Sequence, residues 1–503
     1  MTARTLATAG RHVTLFALGA LSALGFAPWS LWPAALVAMA LAVRLFVKMS
    51  SNVRGDLLAG WLFGFGHFLV GVHWIAKAFT FQSAMPSWTG WIAVVMLAPY
   101  LAVFPALAVA VAGRLRGRVA AFTIMLAASW VLAELLRGLV FSGFPWNPLG
   151  VMLLPLPALA GAASLIGANG LSALVLLAAG GLALMAEGGR VRQAGAVLVT
   201  VPLLAGVAAA VLLPQAPGAT ATRVDIVQAN LGQDEKWADD GVLTSVRRHA
   251  ALTPAKGAGR RILVWPEAAV PDLLDEMPQL RAGLGGLLGP GDVMLLGGLK
   301  AIRDPDGYAI AARNSLYILN PDGRILGRYD KKHLVPFGEF LPARPLLAAL
   351  GLSRLAPGAL DFWPGPGART LALDGFPAVG PLICYEIIFP GDVADRSQRP
   401  RWLLNVSNDA WFSDAGAHMH LAQARLRAIE EGLPIVRSTP TGISAVIDAR
   451  GQVTAAVPRG GAAALSSRLP APLPPTLFAQ FGLWLPLLLA VLLGALAVGI
   501  ARR

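Results

Sequence analysis

The stretch Pro381-Leu-Ile-Cys-Tyr-Glu386 contains the only cysteine among 503 residues, and its reading decides the fold around it. Residues 378–384 form a short apolar run that predicts a β-strand, and Cys384 ends it, followed by the polar pair Tyr385 and Glu386. A lone cysteine forms no disulfide within its chain. A thiol used as small core filling is replaceable by any apolar residue, whereas one at a strand end before polar residues is presented as a nucleophile. Two other polar residues stand at similar strand ends: Glu267 in Leu263-Val-Trp-Pro-Glu-Ala268 and Lys331 in Arg328-Tyr-Asp-Lys-Lys-His-Leu334. A thiol attacks as its thiolate and needs a base or a neighbouring positive charge. Glu267, partly desolvated behind Trp265 and Pro266, suits the base. Lys331 is charged and suits the oxyanion that forms when a thiolate attacks a carbonyl. Singly, each residue also reads as a surface carboxylate, a solvated hairpin lysine or a core thiol. Together, at three strand ends, they form a constellation for acyl transfer.

Working outward, apolar and β-branched runs recur at 223–229, 261–266, 292–298, 315–319, 324–329, 378–384, 402–406, 434–438 and 443–448. Helical stretches at 240–252, 276–288 and 416–432 fall between them, and Asn320-Pro-Asp-Gly323 and Asp448-Ala-Arg-Gly451 signal hairpin turns. Strands mixed with helices and hairpins predict a layered α/β fold. Leu469-Pro-Ala-Pro-Leu-Pro-Pro475 reads as a stiff linker.

The rest of the chain is of another kind. The whole is 56% hydrophobic and 14% charged, against about 25% charged for an ordinary soluble domain. The deficit lies in residues 1–213 and 476–501. Apolar runs at 12–28, 31–47, 57–78, 89–112, 119–140, 158–186, 194–213 and 477–501 approach the roughly 20 residues that cross a bilayer, with Gly167 to Gly170 a break in the sixth. The expected organisation is a membrane domain over 1–213, a catalytic domain over 214–475 and a final membrane helix over 476–503. Arg4 and Arg11, Lys48 and Arg54, Arg114, Arg116 and Arg118, Arg190 and Arg192, and Arg502 and Arg503 fill alternate gaps, and the gaps between are poorer in charge, with Lys77 and Arg137 the exceptions. Basic residues collect on the cytoplasmic side, so both termini are expected inside and 214–475 outside, in the periplasm of a bacterium. The formal charge of +13 is explained by this placement, and no motif for nucleic acid is present. His73, Trp74 and Lys77 read as interfacial, and Glu134 and Arg137, one helical turn apart, as a pair; His67 is a further polar residue within a span. Phe144-Pro-Trp-Asn-Pro148 reads as an outward loop with an aromatic anchor near the headgroups.

Trp265-Pro-Glu267, Tyr329-Asp-Lys-Lys-His-Leu334 and Ile383-Cys-Tyr-Glu386 resemble the Glu-Lys-Cys signatures of the nitrilase superfamily. That resemblance implies an α-β-β-α sandwich of two sheets between helix layers. Lys331-Lys-His-Leu-Val-Pro-Phe-Gly-Glu-Phe-Leu-Pro342, the surrounding spans, Gly25-Phe-Ala-Pro28 and the Phe-Pro-Trp loop resemble its membrane-bound branch, the apolipoprotein N-acyltransferases. The implied fold is therefore a polytopic helical membrane domain of about eight spans carrying a nitrilase-like α/β sandwich. The resemblance implies Cys384 as nucleophile, Glu267 as general base and Lys331 as oxyanion stabiliser. Glu339 matches a second glutamate that orients the lysine or assists proton transfer, Tyr385 and Glu386 follow the nucleophile as in the family, and Trp237 matches a tryptophan on a mobile arm over the site. Asn408, Asp409 and Trp411 lie in a loop of matching type.

The implied reaction moves an acyl group from a membrane phospholipid to Cys384. It then passes to the α-amine of a diacylglyceryl-modified cysteine at the start of an apolipoprotein. It needs no metal or organic cofactor, and His418 and His420 alone are too few for a metal site. Nothing demands more than a monomer. Two other readings are a membrane-tethered amidohydrolase with water as acceptor, and a transporter or scaffold whose outer domain only binds.

Overall fold

A computed structural model describes residues 3–48, 52–81, 86–215, 218–257, 259–349 and 361–503. The chain forms two compact units, one of residues 1–76, 88–214 and 475–503, the other of 77–87 and 215–474.

The second unit is built on twelve strands: β1 (Ala219–Gln228), β2 (Arg261–Val264), β3 (Val293–Arg303), β4 (Ala309–Leu319), β5 (Ile325–Asp330), β6 (Leu371–Leu373), β7 (Phe376–Ile383), β8 (Trp402–Val406), β9 (Ile435–Ser438), β10 (Ser444–Ile447), β11 (Val453–Val457) and β12 (Ala463–Pro470). They form two six-stranded sheets, ordered β12-β1-β2-β3-β4-β5 and β11-β10-β9-β8-β7-β6. In each, three adjacent strands run parallel (β1-β2-β3 and β7-β8-β9) and the flanking strands pair antiparallel.

Successive side chains on a strand point to opposite faces, and the apolar residues sort accordingly. Val224, Ile226, Ile262, Val264 and Leu295 meet Val379, Ile383, Trp402, Leu404 and Val436 between the sheets. Leu263, Trp265, Met294 and Leu296 face the other way, toward Val242, Val246 and Ala250 of the helix Gly241–Leu252 and Leu280 of the helix Pro278–Gly285. The helix Asp414–Glu431 lies on the second sheet, next to β9. The α/β unit is thus a nitrilase-like α-β-β-α sandwich.

The expected turns stand where the sequence puts them, between β4 and β5 and between β10 and β11. Three strands had no counterpart in the sequence reading: β6, β11 and β12. All three lie at sheet edges, where small and polar residues weaken the apolar signal. The expected linker at Leu469 is shorter than read, because Leu469 and Pro470 belong to β12 and Pro470 pairs with Ala219.

The first unit is helical. Among the described residues, five helices are long and apolar enough to cross a membrane: Thr89–Leu115, Val119–Arg137, Ala163–Met185, Gly189–Leu212 and Trp484–Arg502. The count rises to six if Val53–Gly71 and His73–Phe81, bent by 45°, form one span. Two further helices, Ala3–Ala23 and Trp32–Lys48, precede these in the chain; the latter has 17 residues. Outward-facing side chains are apolar, with Val211 77% and Leu492 59% exposed. Such a surface is stable against lipid, not water. The expected break in the sixth run is present at Gly167, which has φ +70°. A Cβ there would stand 2.3 Å from the Phe478 ring, so only glycine lets that ring approach.

Two expectations for this unit are corrected. Trp146 is 1% exposed and packs against Trp74, itself 6% exposed, with ring centroids 4.6 Å apart. Neither is an interfacial anchor, because the Arg137 guanidinium donates to the Trp146 carbonyl at 2.8 Å and draws the loop inward. Glu134 is tied more widely than a helical pair requires: its carboxylate accepts from Trp130 Nε1, the Leu149 N–H and Asn169 Nδ2. His67 is buried, with Nδ1 2.8 Å from Ser22 Oγ, and His73 Nδ1 meets the Val70 carbonyl.

Candidate active site

Glu267 follows β2 in a segment that continues the ladder to β3: the Trp265 N–H donates to Leu295 O and the Gly297 N–H to Pro266 O. Gly297 permits this approach, since a Cβ there would lie 2.4 Å from the Ala268 nitrogen. Lys331 follows β5, and its N–H donates to Asn314 O of neighbouring β4 at 2.9 Å. The two side chains are therefore delivered by strands of one sheet. Lys331 Nζ stands 3.8 Å from Glu267 Oε1 and 2.9 Å from Glu339 Oε2. Asn314 Nδ2 bridges the carboxylates, donating to Glu267 Oε1 at 2.7 Å and Glu339 Oε1 at 3.0 Å. Glu339 Oε2 also accepts the Val335 N–H.

Cys384 comes from the other sheet, at the end of β7, where a short turn Cys384–Ile388 begins. It is 6% exposed, so the thiol is buried and not presented at a surface. The strand end lies between two covered sheets, and Cys384 belongs to the core they share. Glu386 clamps this turn to the lysine segment. Its Oε2 accepts the Ile383 N–H at 2.7 Å, and its Oε1 accepts Tyr329 Oη–H and the Lys332 N–H, both at 2.7 Å. One buried carboxylate thereby ties the cysteine strand to the lysine strand. Tyr385 packs edge-on against Phe389.

Burial sets the electrostatics. It pushes the Cys384 thiol up to about 12, reinforced by the Glu267 charge and opposed by Lys331. Burial also raises the proton affinity of Glu267, with Lys331 opposing and Glu339 reinforcing. Lys331 moves the opposite way to its own burial: Glu339 and Glu267 hold its ammonium charged more firmly than a free lysine. Burial thus favours the neutral thiol, the two glutamates keep the lysine charged, and Glu267 binds a proton more readily than a free carboxylate.

Trp237 is half-buried and donates Nε1–H to Gln233 Oε1 within its own turn, at 3.0 Å. Asn408 and Asp409 are buried, and Trp411 meets Phe81 edge-on at 5.8 Å. Two residues close to the site escaped the sequence reading. Asn314 stands between Arg313 and Ser315 in the middle of β4, and nothing in that polar triplet marks the amide out in the sequence. Lys236 is 1% exposed and donates Nζ–H to the Glu267 carbonyl at 3.3 Å; burial pushes its ammonium down to about 8. Its charge opposes the rise at Glu267, so Lys236→Met is expected to raise the proton affinity of Glu267 further. The acid limb of the turnover profile then moves to higher pH, measurable as rate against pH.

Comparison with known proteins divides the chain along similar lines. Residues 18–181 match the family model of the apolipoprotein N-acyltransferase N-terminal domain, and residues 223–467 match that of carbon-nitrogen hydrolases. An apolipoprotein N-acyltransferase of Rhodopseudomonas palustris is 38% identical over 496 residues, covering 94% of this chain and 92% of that protein. One of Bradyrhizobium diazoefficiens is 38% identical over 513 residues, covering 98% and 95%. Among solved structures, a Saccharomyces cerevisiae member of the nitrilase superfamily aligns over 50% of this chain and 90% of its own, at 19% identity and TM-score 0.35.

Proposed function

Because this chain belongs to the apolipoprotein N-acyltransferase family, and its activity is the N-acylation of lipoproteins, we propose that Cys384 carries the acyl group between a phospholipid and the lipoprotein amine. In the first half-reaction Glu267 takes the thiol proton as sulfur attacks the ester carbonyl. The oxyanion that forms is stabilised by Lys331. The ester C–O bond then breaks, Glu267 returns its proton to the leaving glycerol oxygen, and lysophospholipid departs. In the second half-reaction Glu267 accepts a proton from the incoming α-ammonium. The neutral amine attacks the thioester, the S–C bond breaks as the nitrogen's second proton passes to sulfur, and the proton held by Glu267 is released to solvent. Glu339 keeps Lys331 in place, and Asn314 spaces the two carboxylates.

The observation that carries this reading is the buried Glu267–Lys331–Glu339 cluster, of which Glu267 and Lys331 act by charge on the single cysteine. A thiol near 12 is not a thiolate at rest, so attack must be coupled to proton transfer, and a desolvated carboxylate with raised proton affinity is suited to accept it. Exclusion of water from so buried a site favours the amine over hydrolysis.

The acyl donor is a membrane lipid and the acceptor carries a diacylglyceryl group, so the α/β unit works at a bilayer that the helical unit spans. The reading places eight spans there, counting Ala3–Ala23 and Trp32–Lys48, with both termini cytoplasmic and residues 214–475 periplasmic, at the inner membrane. Contacts between the basic gaps support it: Arg44 pairs with Glu187 at 3.2 Å, and Arg116 pairs with Asp56 and donates to Phe46 O.

The test uses purified enzyme with phospholipid, with and without a diacylated lipopeptide bearing a free α-amine. Sustained lysophospholipid release is expected only with the lipopeptide. Equal release of free fatty acid without it would favour the amidohydrolase reading and refute this one.

A further inference from the structure

The α/β unit holds a fully buried polar network that the acyl-transfer steps leave unused. His420, on the helix Asp414–Glu431, places Nε2 3.2 Å from the carbonyl oxygen of Cys384. A carbonyl only accepts, so Nε2 carries a proton and donates it. On the other side of the ring, Nδ1 lies 3.0 Å from Arg437 Nη2 and 3.0 Å from Asp409 Oδ1. Burial, and secondarily the Arg437 charge, hold the ring below the ordinary histidine range. Nδ1 thus faces both a guanidinium and a carboxylate, and in either protonation state of the ring Nε2 holds the proton it donates to the Cys384 carbonyl. Asp409 Oδ2 accepts from Arg437 Nη2 at 2.5 Å, and Oδ1 accepts from Ser407 Oγ at 2.7 Å. Arg437 also donates to Asn405 Oδ1, whose Nδ2 donates to the same Cys384 carbonyl at 3.4 Å. Asn405, Ser407, Asp409, His420 and Arg437 are all 0% exposed.

Two side-chain donors from two elements thus converge on one main-chain oxygen. That oxygen belongs to a residue with φ +51°. A non-glycine residue is strained there and keeps the conformation only where its surroundings over-determine it. Burying an arginine and an aspartate is itself unfavourable compared with apolar packing. A network of this kind is therefore better accounted for by specification of geometry than by stability.

We infer that His420, seconded by Asn405, is a positioning residue for the nucleophile: it locks the Cys384 peptide in the left-handed conformation that aims the thiol toward Glu267 and Lys331. The inference rests on the reading of Cys384 as acyl carrier. His420→Phe keeps a ring and removes the donor, whereas His420→Gln retains an N–H donor of similar reach. Asn405→Asp keeps the acceptor for Arg437 and removes the second donor to Cys384, so the question stays open to test if His420→Phe does not fold.

Full-length variants in detergent are compared by two rates: acylation of Cys384 by phospholipid, and alkylation of Cys384 by a haloacetamide, both read by intact mass. A misplacement of about 1 Å costs roughly 10²-fold. His420→Phe is expected to lose about that factor in the acylation rate constant at saturating phospholipid. The half-saturating phospholipid concentration should not change, alkylation should slow in parallel, and His420→Gln should recover most of both rates. Asn405→Asp should slow both in the same direction. Wild-type rates in His420→Phe, or a His420→Gln as slow as His420→Phe, would overturn the proposal. A wild-type protein that alkylates but never acylates would refute the acyl-carrier reading instead, and the alkylation rates would still decide the role of His420.

Discussion

Lys331→Met is expected to lower the rate of Cys384 acylation by roughly 10²–10³-fold, the usual effect of removing one oxyanion partner. The methionine side chain is close in length and unbranched, so the volume is nearly kept. What disappears is a cation 2.9 Å from Glu339 and 3.8 Å from Glu267. Lys331 is also the largest influence opposing the raised proton affinity of Glu267. Without it Glu267 holds its proton to still higher pH, and the base form is lost from the acid side first. The substitution should therefore both depress the plateau and move the acid limb of the rate profile to higher pH. Lys332→Met is the control: that side chain is 39% exposed and pairs with Asp392, a pairing of the kind that contributes about 0–1 kcal/mol. Its acylation rate should stay near wild type. A Lys331→Met protein that acylates normally would remove Lys331 from the oxyanion role.

The second large effect is expected at Glu386. Replacement by alanine leaves the Ile383 N–H, the Lys332 N–H and the Tyr329 hydroxyl without their acceptor in the interior. Each unsatisfied buried group costs about 1–3 kcal/mol, so the α/β unit should melt markedly lower, and the link between the cysteine and lysine strand ends is cut. Acylation should fail even at temperatures where the variant is folded. Glu386→Gln keeps one acceptor oxygen but turns an NH2 toward an N–H donor, and should fall between. Melting followed by circular dichroism, alongside the acylation rate, separates loss of fold from loss of geometry. Wild-type stability in Glu386→Ala would show that the clamp carries no weight.

Much of the α/β fold was legible because its central strands are short, β-branched and bounded by turn residues, and because Glu267, Lys331 and Cys384 each end such a run. The edge strands β6, β11 and β12 were not legible: an edge strand buries one side at most, and β12 reads Ala-Ala-Leu-Ser-Ser-Arg-Leu-Pro, with little alternation. Nor does local sequence reveal that β12 pairs with β1, more than two hundred residues earlier. The lesson at the site is the same. Glu267, Lys331 and Cys384 announced themselves by residue type and place, and Glu339 through the resemblance alone. Asn314, Lys236, His420 and Arg437 acquire meaning only once the strands and helices bring them to the backbone or side chains of those groups. The depth of Cys384 was misread for a related reason: a strand end looks exposed in sequence, but the opposing sheet covers it. In the helical unit, Trp146 resembled an interfacial anchor because aromatic loops often are; the contact from Arg137 that folds it inward joins residues on opposite sides of a turn.

The most direct measurement is the intact mass of the purified full-length protein after incubation with phospholipid alone. A gain of one acyl mass is expected, removable by neutral hydroxylamine, discharged by a diacylated lipopeptide and absent in Cys384→Ala. An active preparation that never gains that mass, or a Cys384→Ala protein that gains it equally, would contradict a cysteine-borne acyl group.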